Sequence, residues 1–147
     1  MNNNLDCPVD FVPINENRAR MVAFLVLLLV VSCYVTVNWL IAAFLLVDFA
    51  LRSFYLNQFS VLAILAGLLI KLFKIKNKPV DRAPKRFAAF VGLSFMVMIL
   101  LALLTGFINT AKVLLIVIMI FAVLESLAGF CAGCYVYTYL KRFGLIK

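Results

Sequence analysis

Two cysteines separated by two residues are the part of this sequence whose spacing most directly suggests chemistry. Cys131 and Cys134 lie in the stretch GFCAGC, residues 129–134. On a helix this spacing places both sulfurs on one face, close enough to form a disulfide after a modest shift. Such a pair exchanges a disulfide with a partner protein or carries a sulfur atom as a persulfide. The alternatives are two small residues that fill a helix contact, and a metal site.

The pair lies late in a predicted helix, whereas a catalytic Cys-x-x-Cys normally opens one. At a helix N-terminus the dipole lowers the pKa of the thiol, and late in a helix it acts in the opposite direction. Gly129 and Gly133 form a small-residue stripe with Ala122 and Ser126, which is typical of close helix contacts. The two cysteines point largely away from that stripe, so the glycines can pack while the thiols face something else.

Cys7 is the third thiol that could belong to the same site. It could act as a resolving thiol for the pair. Alternatively, the three thiolates could hold zinc or iron, with Asp6, Asp10 or water as the fourth ligand because the chain contains no histidine. No cofactor is predicted, and a metal site at Cys7, Cys131 and Cys134 remains the alternative.

Three ionisable residues interrupt the apolar runs and could support such a site. Asp48 and Arg52 stand four positions apart in the order that favours an ion pair on a helix. An ionisable residue inside a membrane is a functional candidate, and its structural alternative here is an internal pair with Arg52 reaching the interface. Glu125 could relay a proton, or bridge the second and fourth spans through Arg52, Arg86 or the region of Asn15.

The composition is that of an integral membrane protein. The chain has 147 residues, of which 67% are hydrophobic and 14% are charged, with a mean hydropathy of +1.14. Soluble domains carry about 25% charged residues, so too little polar surface remains here to cover a soluble core. The net charge is +8, and the basic residues lie beside the apolar runs. The positive-inside rule explains that placement, and nucleic acid is not predicted as a partner.

The apolar runs predict one all-α membrane domain over residues 1–147. Four transmembrane helices are expected at about residues 20–37, 39–55, 87–105 and 111–133, the last continuing as helix to about 140. The run at 59–73 is too short for a hydrocarbon core of about 30 Å, which predicts an interfacial helix between the second and third spans. Asn15 is a suitable N-cap for the first helix, and Asn38 suits the turn before the second.

The basic residues predict the orientation. With four spans and both termini cytoplasmic, the inner side receives Arg18, Arg20, the seven cations from Lys71 to Arg86 and the three after residue 140, while the outer side receives Lys112 alone. Cys7, Cys131 and Cys134 then face the reducing cytoplasm, and Cys33 lies near the outer end of the first helix. The cluster from Lys71 to Arg86 either anchors to anionic lipid headgroups or docks an acidic soluble partner.

Four stretches together resemble a known family: CPVDFVPINEN at 7–17, VDFALRSF at 47–54, APKRFAAFVGLSF at 83–95 and ESLAGFCAGCYVY at 125–137. The chain is similar, over nearly its whole length, to an uncharacterised bacterial membrane family catalogued as domain of unknown function 4395. The resemblance implies a location in the bacterial inner membrane. It also implies thiol or sulfur traffic with thioredoxin-like or rhodanese-like proteins.

We therefore expect a multi-pass inner-membrane protein whose Cys131 and Cys134 exchange electrons or sulfur at the cytoplasmic face. Its partners would be the lipid bilayer and a soluble thioredoxin-like or rhodanese-like protein. The residues expected to assist are Cys7, Glu125, Asp48 and Arg52. The alternatives are a non-enzymatic small subunit of a larger membrane complex, and a small oligomeric transporter in which Asp48 and Glu125 line the path. Whether the protein is an enzyme stays open.

Overall fold

The computed structural model describes residues 13–54, 56, 58–76, 79–81 and 83–128. This part of the chain contains five helices: α1 Glu16–Thr36, α2 Trp39–Ser53, α3 Val61–Leu72, α4 Ala83–Leu104 and α5 Ile108–Ala128. The prediction of an all-helical protein is confirmed for these residues, apart from one pair of three-residue strands.

Polar residues set the helix ends that the sequence suggested. The side chain of Asn15 accepts a hydrogen bond from the backbone of Asn17 and caps α1, as predicted. The side chain of Asn38 caps α2 in the same way, through the backbone nitrogen of Leu40. These caps satisfy backbone groups that have no partner within the helix. Only Val37 and Asn38 separate α1 from α2, so the two helices must reverse direction within a tight turn.

The core forms where the helices pack in pairs. α2 packs mainly against α4, and α1 packs against both α5 and α3. Small side chains at fully buried positions such as Ala42, Ala66 and Ala111 let neighbouring helices approach closely. All five helices contribute to one cluster of buried residues: Val22, Val26, Val30, Cys33, Ala42, Leu45, Phe49, Leu62, Ala63, Ala66, Ala89, Met96, Ile99, Leu115 and Ile118.

Two short strands join the start of the described chain to the segment before α4, a feature the sequence analysis did not predict. Strand β1, Pro13–Asn15, pairs antiparallel with β2, Pro79–Asp81. Beside this pair, the side-chain amide of Asn17 donates a 2.7 Å hydrogen bond to the carbonyl of Lys76. We call this end of the bundle, where α1 and α4 begin and α2 and α5 finish, the basic end. It carries Arg18, Arg20, Lys71, Lys74, Lys76 and Lys85.

Three helices are long and apolar enough to cross a membrane: α1, the part of α4 from Phe87 to Leu104, and the part of α5 from Ile108 to Leu127. α2 has only 15 residues and α3 only 12. Large apolar side chains on all five helices are exposed, including Leu28, Leu40, Leu68, Leu101 and Leu127. Together with the composition, these helices indicate a membrane protein.

The turn between α1 and α2 contains backbone strain that a substitution can relieve. Val37 has a φ of 52°, in the left-handed region, and its N–H bonds to the carbonyl of Cys33. A β-branched residue is disfavoured there by about 1–2 kcal/mol, whereas glycine is the usual residue at this position. We expect Val37→Gly to raise the free energy of unfolding by about 1 kcal/mol in denaturant titrations. The control is Val35→Gly, in the helical last turn of α1, which should lose about 0.5–1 kcal/mol. Equal losses at both positions would contradict the strain.

Candidate functional site

Asp48 joins α2 to the start of α3. Its side chain is 2% exposed, and its Oδ1 accepts a 2.6 Å hydrogen bond from the hydroxyl of Ser60 and a longer one, 3.4 Å, from the backbone of Leu62. The Oγ of Ser60 in turn accepts from the backbone nitrogen of Ala63, so Ser60 is the N-cap of α3. The carboxylate therefore lies against the positive end of the α3 dipole, a favourable place for a negative charge.

Arg52 pairs with the same carboxylate from one turn further along α2. Its Nε lies 2.9 Å from Asp48 Oδ2, but the geometry is not that of a hydrogen bond. Within the described chain, Nε, Nη2 and Oδ2 are each buried without a hydrogen-bond partner. The Arg52 side chain is 16% exposed, and its guanidinium stacks 4.4 Å above the ring of Phe49. The contact is thus an ion pair and a cation–π interaction, and two guanidinium nitrogens, Nε and Nη2, form no hydrogen bond within the described chain.

The ring of Phe49 occupies a space that exists only because α4 has glycine at position 92. A Cβ built on Gly92 would lie 2.7 Å from Cδ1 and 2.9 Å from Cζ of Phe49, and closer still to Cε1. Because α4 approaches so closely, it fixes the position of the Phe49 ring beneath the Arg52 guanidinium. A second aromatic contact joins the same two helices: Phe54, just after the end of α2, meets Phe90 of α4 edge to face, with ring centroids 5.8 Å apart.

Glu125 bonds to a residue that the sequence analysis did not name as its partner. Lys85 Nζ, in the first turn of α4, lies 3.1 Å from Glu125 Oε1 near the end of α5. The expected bridge to the second span through Arg52 is not a direct contact, although Glu125 is close enough to Arg52 for an electrostatic interaction. We refer to Asp48, Arg52, Lys85 and Glu125 as the charged cluster. It holds two acids and two bases, and it joins α2, α4 and α5 at the basic end.

The described chain both enters and leaves the bundle at the basic end. Pro13 pairs with Asp81, and Asp81 lies just before α4. The first turn of α4 holds Lys85, which bonds Glu125 three residues before the last described position. Cys7, Cys131 and Cys134 lie outside the described residues, and so do Gly129 and Gly133. The first and last described residues, Pro13 and Ala128, thus lie at the same end of the bundle.

Cys33 is the one cysteine among the described residues, which therefore contain no second thiol with which it could form a disulfide. Its side chain is fully buried in the core, and its thiol donates a weak 3.6 Å hydrogen bond to the carbonyl of Asn38. It lies at the other end of the bundle, near the contact between Lys112 and the ring of Tyr34. In residues 13–128, so far as they are described, no three cysteine or acidic side chains lie close enough to hold a metal ion.

The profile of the protein family described as Domain of unknown function (DUF4395) matches residues 14–142, which is most of the chain. This range includes the charged cluster, α3 and both cysteines of GFCAGC. Neither a curated protein nor a solved structure matches the chain. The chain belongs to the DUF4395 family.

Proposed function

We propose that the protein is a bacterial inner-membrane thiol protein with four spans, an interfacial α3 and both termini in the cytoplasm. Cys131 and Cys134 exchange disulfides or carry sulfur for a soluble thioredoxin-like or rhodanese-like partner. The observation that carries this proposal is the convergence of the two chain ends that lead to the cysteines. Both ends lie at the basic end, beside the charged cluster.

The proposed topology adds α2 to the three long apolar helices as the fourth span. The contact between α2 and α4 is the most extensive one between helices of the described chain, which favours a place for α2 within the bundle rather than on its surface. Its Asp48 is buried and is paired with Arg52, whose side chain is only 16% exposed, as expected for ions within a membrane protein. Basic side chains concentrate at one end, while Lys112 at the other end lies over an aromatic ring. The positive-inside rule then makes the basic end cytoplasmic.

The proposed reaction is a two-step disulfide exchange. A thiolate of the pair attacks the partner's disulfide, forming a mixed disulfide and releasing one partner thiolate. The second thiolate of the pair then attacks the mixed disulfide. The Cys131–Cys134 disulfide forms, the partner leaves as a dithiol, and two electrons have passed from the pair to the partner. In the sulfur-carrying version, one thiolate accepts a sulfane sulfur from a partner persulfide, and the partner leaves as a thiol.

The guanidinium of Arg52 suggests how the bundle could assist this chemistry. Its Nη2 is buried without a hydrogen-bond partner among the described residues, and such an unused charged donor is costly unless something else occupies it. A thiolate is an anion that such a donor stabilises. Asp48 holds Arg52 in place, and the Glu125–Lys85 pair joins α5 to α4 at the same end of the bundle.

Thiol labelling tests the proposal directly. We expect the purified protein, after mild oxidation, to lose two maleimide-reactive thiols that reductant restores. Cys131→Ala/Cys134→Ala should remove this reductant-dependent change completely. Cys33→Ala is the matched control and should leave it intact, because the Cys33 side chain is fully buried. A persulfide in place of the disulfide would appear as a mass increase of one sulfur atom.

Two results would contradict the proposal. One is labelling of the wild type that does not depend on reductant. The other is a Cys131→Ala/Cys134→Ala strain that behaves as wild type under every growth and redox condition. Stoichiometric co-purification of membrane proteins together with either result would favour the non-enzymatic subunit instead.

A further inference from the structure

The last turn of α3 and the turn that follows it hold three lysines in a defined geometry. Lys74 adopts a left-handed conformation with a φ of 49°, which ends the helix. Backbone hydrogen bonds from Ile75 to Ile70 and from Lys74 to Lys71 close the turn. The bond from the Asn17 side chain to the carbonyl of Lys76 then fastens it to the start of α1. We call residues 71–76 the cationic turn.

The lysine charges of the cationic turn have no acidic partner within the part of the chain that the structure describes. Lys71, Lys74 and Lys76 are all exposed. Among the residues that the structure describes, no carboxylate forms an ion pair with any of them. The bundle therefore presents three uncompensated positive charges on a fixed piece of backbone.

Large apolar side chains lie between these charges. Leu72 is 75% exposed and Phe73 is 65% exposed, which are among the highest values for apolar residues in the described chain. They continue an exposed apolar stripe along α3: Val61, Ile64, Leu65 and Leu68. The opposite face of α3 packs on α1, where the Arg18 guanidinium bonds to the carbonyl of Ala63. One continuous surface thus combines an apolar stripe with three lysines at its end.

We propose that the cationic turn and the exposed stripe of α3 bind anionic phospholipid of the cytoplasmic leaflet. The lysines contact the headgroup phosphates, and Leu72 and Phe73 enter the boundary between headgroups and acyl chains. Amphipathic helices with apolar and basic side chains bind bilayers in this way. The apolar stripe runs the length of α3 without a polar break, which fits a lipid surface better than a localised acidic protein site. This inference rests on the proposed membrane placement of the bundle.

A tryptophan reporter tests this lipid preference. The chain has a single tryptophan, Trp39, at the far end of the bundle, and the variant Trp39→Phe/Phe73→Trp moves it into the cationic turn. Each protein is reconstituted in vesicles that mix phosphatidylglycerol with phosphatidylcholine, with one of the two lipids brominated. We expect the reporter in the cationic turn to be quenched more by brominated phosphatidylglycerol. Each lysine near an anionic surface contributes a preference of about fivefold. Adding Lys71→Gln/Lys74→Gln/Lys76→Gln should therefore equalise the two lipids.

The unmodified protein is the matched control, because its Trp39 lies at the start of α2, at the opposite end of the bundle from the cationic turn, and should be quenched equally by both lipids. If Trp39 is quenched and the reporter at position 73 is not, the surface faces water or an acidic protein, and the lipid proposal is overturned. Equal quenching of that reporter by both lipids also overturns it. If neither reporter is quenched, the membrane placement itself fails. A higher salt concentration should weaken the preference for phosphatidylglycerol and leave the response of Trp39 unchanged.

Discussion

Replacing Asp48 by alanine is expected to lower the free energy of unfolding by about 3–5 kcal/mol, because it leaves Arg52, whose side chain is only 16% exposed, without a counter-ion. The same change removes the acceptor of the Ser60 hydroxyl and of the Leu62 backbone N–H. We therefore expect the start of α3 to lose protection in hydrogen exchange, in addition to a lower midpoint of unfolding. The measurement is denaturant unfolding in detergent, combined with exchange at the backbone of α3.

Three further variants separate the roles of Asp48. Ser60→Ala removes the N-cap of α3 but keeps the ion pair, and should cost about 1–2 kcal/mol. Asp48→Asn keeps an acceptor for Ser60 but loses the charge opposite Arg52, so its loss should approach that of alanine. Replacing Asp48 and Arg52 together by leucine should recover much of the stability, since apolar replacement of a buried pair is often neutral.

The Glu16–Arg20 pair is the matched control for this prediction. It has the same spacing on α1 and a 2.8 Å contact, but the Arg20 side chain is 33% exposed. Glu16 is the buried member of this pair, so the change that matches Asp48→Ala is Glu16→Ala, which leaves the one-third exposed Arg20 in contact with water and should cost less than Asp48→Ala. If Asp48→Ala cost as little as Glu16→Ala, Arg52 would have to reach water, and the charged cluster would not be a structural element.

The helices could be predicted because their signals are local. Long apolar runs locate α1, α4 and α5, and Asn15 and Asn38 mark helix starts through their side-chain chemistry. The apolar span in α4 starts at Phe87, in agreement with the predicted span from about 87, but the helix itself already begins at Ala83 with a polar first turn. Pro84 in that turn was the available signal, since proline is favoured in the first turn of a helix. Similarly, Ser60 stands directly before an apolar run, and because serine is a favoured N-cap residue it indicates the start of α3.

The contacts between distant segments could not be predicted in the same way. Strands β1 and β2 are three residues each and contain prolines, so neither has a strand pattern of its own. Lys85 and Glu125 are 40 residues apart, and the sequence offered several cations as partners for Glu125. The place of Phe49 against Gly92 likewise depends on how two helices cross. Such pairings follow from the packing of the whole bundle rather than from any local pattern.

These long-range contacts link the charged cluster to the cationic turn and to the start of the described chain. Asp48 fixes the start of α3, and the end of α3 carries the cationic turn. The Asn17 bond and the β1–β2 pair then connect that turn to the start of the described chain. A change at Asp48 should therefore alter lipid preference as well as stability.

Gly92→Ala is expected to destabilise the protein by about 1–3 kcal/mol, the usual cost of adding a methyl group to a packed core. The new Cβ would overlap the ring of Phe49, which is 8% exposed and covered by the guanidinium of Arg52. The ring cannot move toward Arg52 without displacing a buried ion pair, so α4 must shift instead. In a double-mutant cycle with Phe49→Leu, the two losses should be less than additive, since the smaller side chain makes room for the methyl group.

Gly67→Ala is the control for this prediction, because the same substitution should raise the stability there instead of lowering it. Gly67 lies within α3, and a Cβ there would meet the Arg18 guanidinium at 3.6 Å, an ordinary van der Waals distance. The substitution should therefore stabilise α3 by about 0.5–1 kcal/mol, the normal gain when alanine replaces glycine inside a helix. The same chemical change thus has opposite effects at two positions, and only the close approach of α2 and α4 accounts for the difference. A gain at both positions would mean that α4 does not contact Phe49.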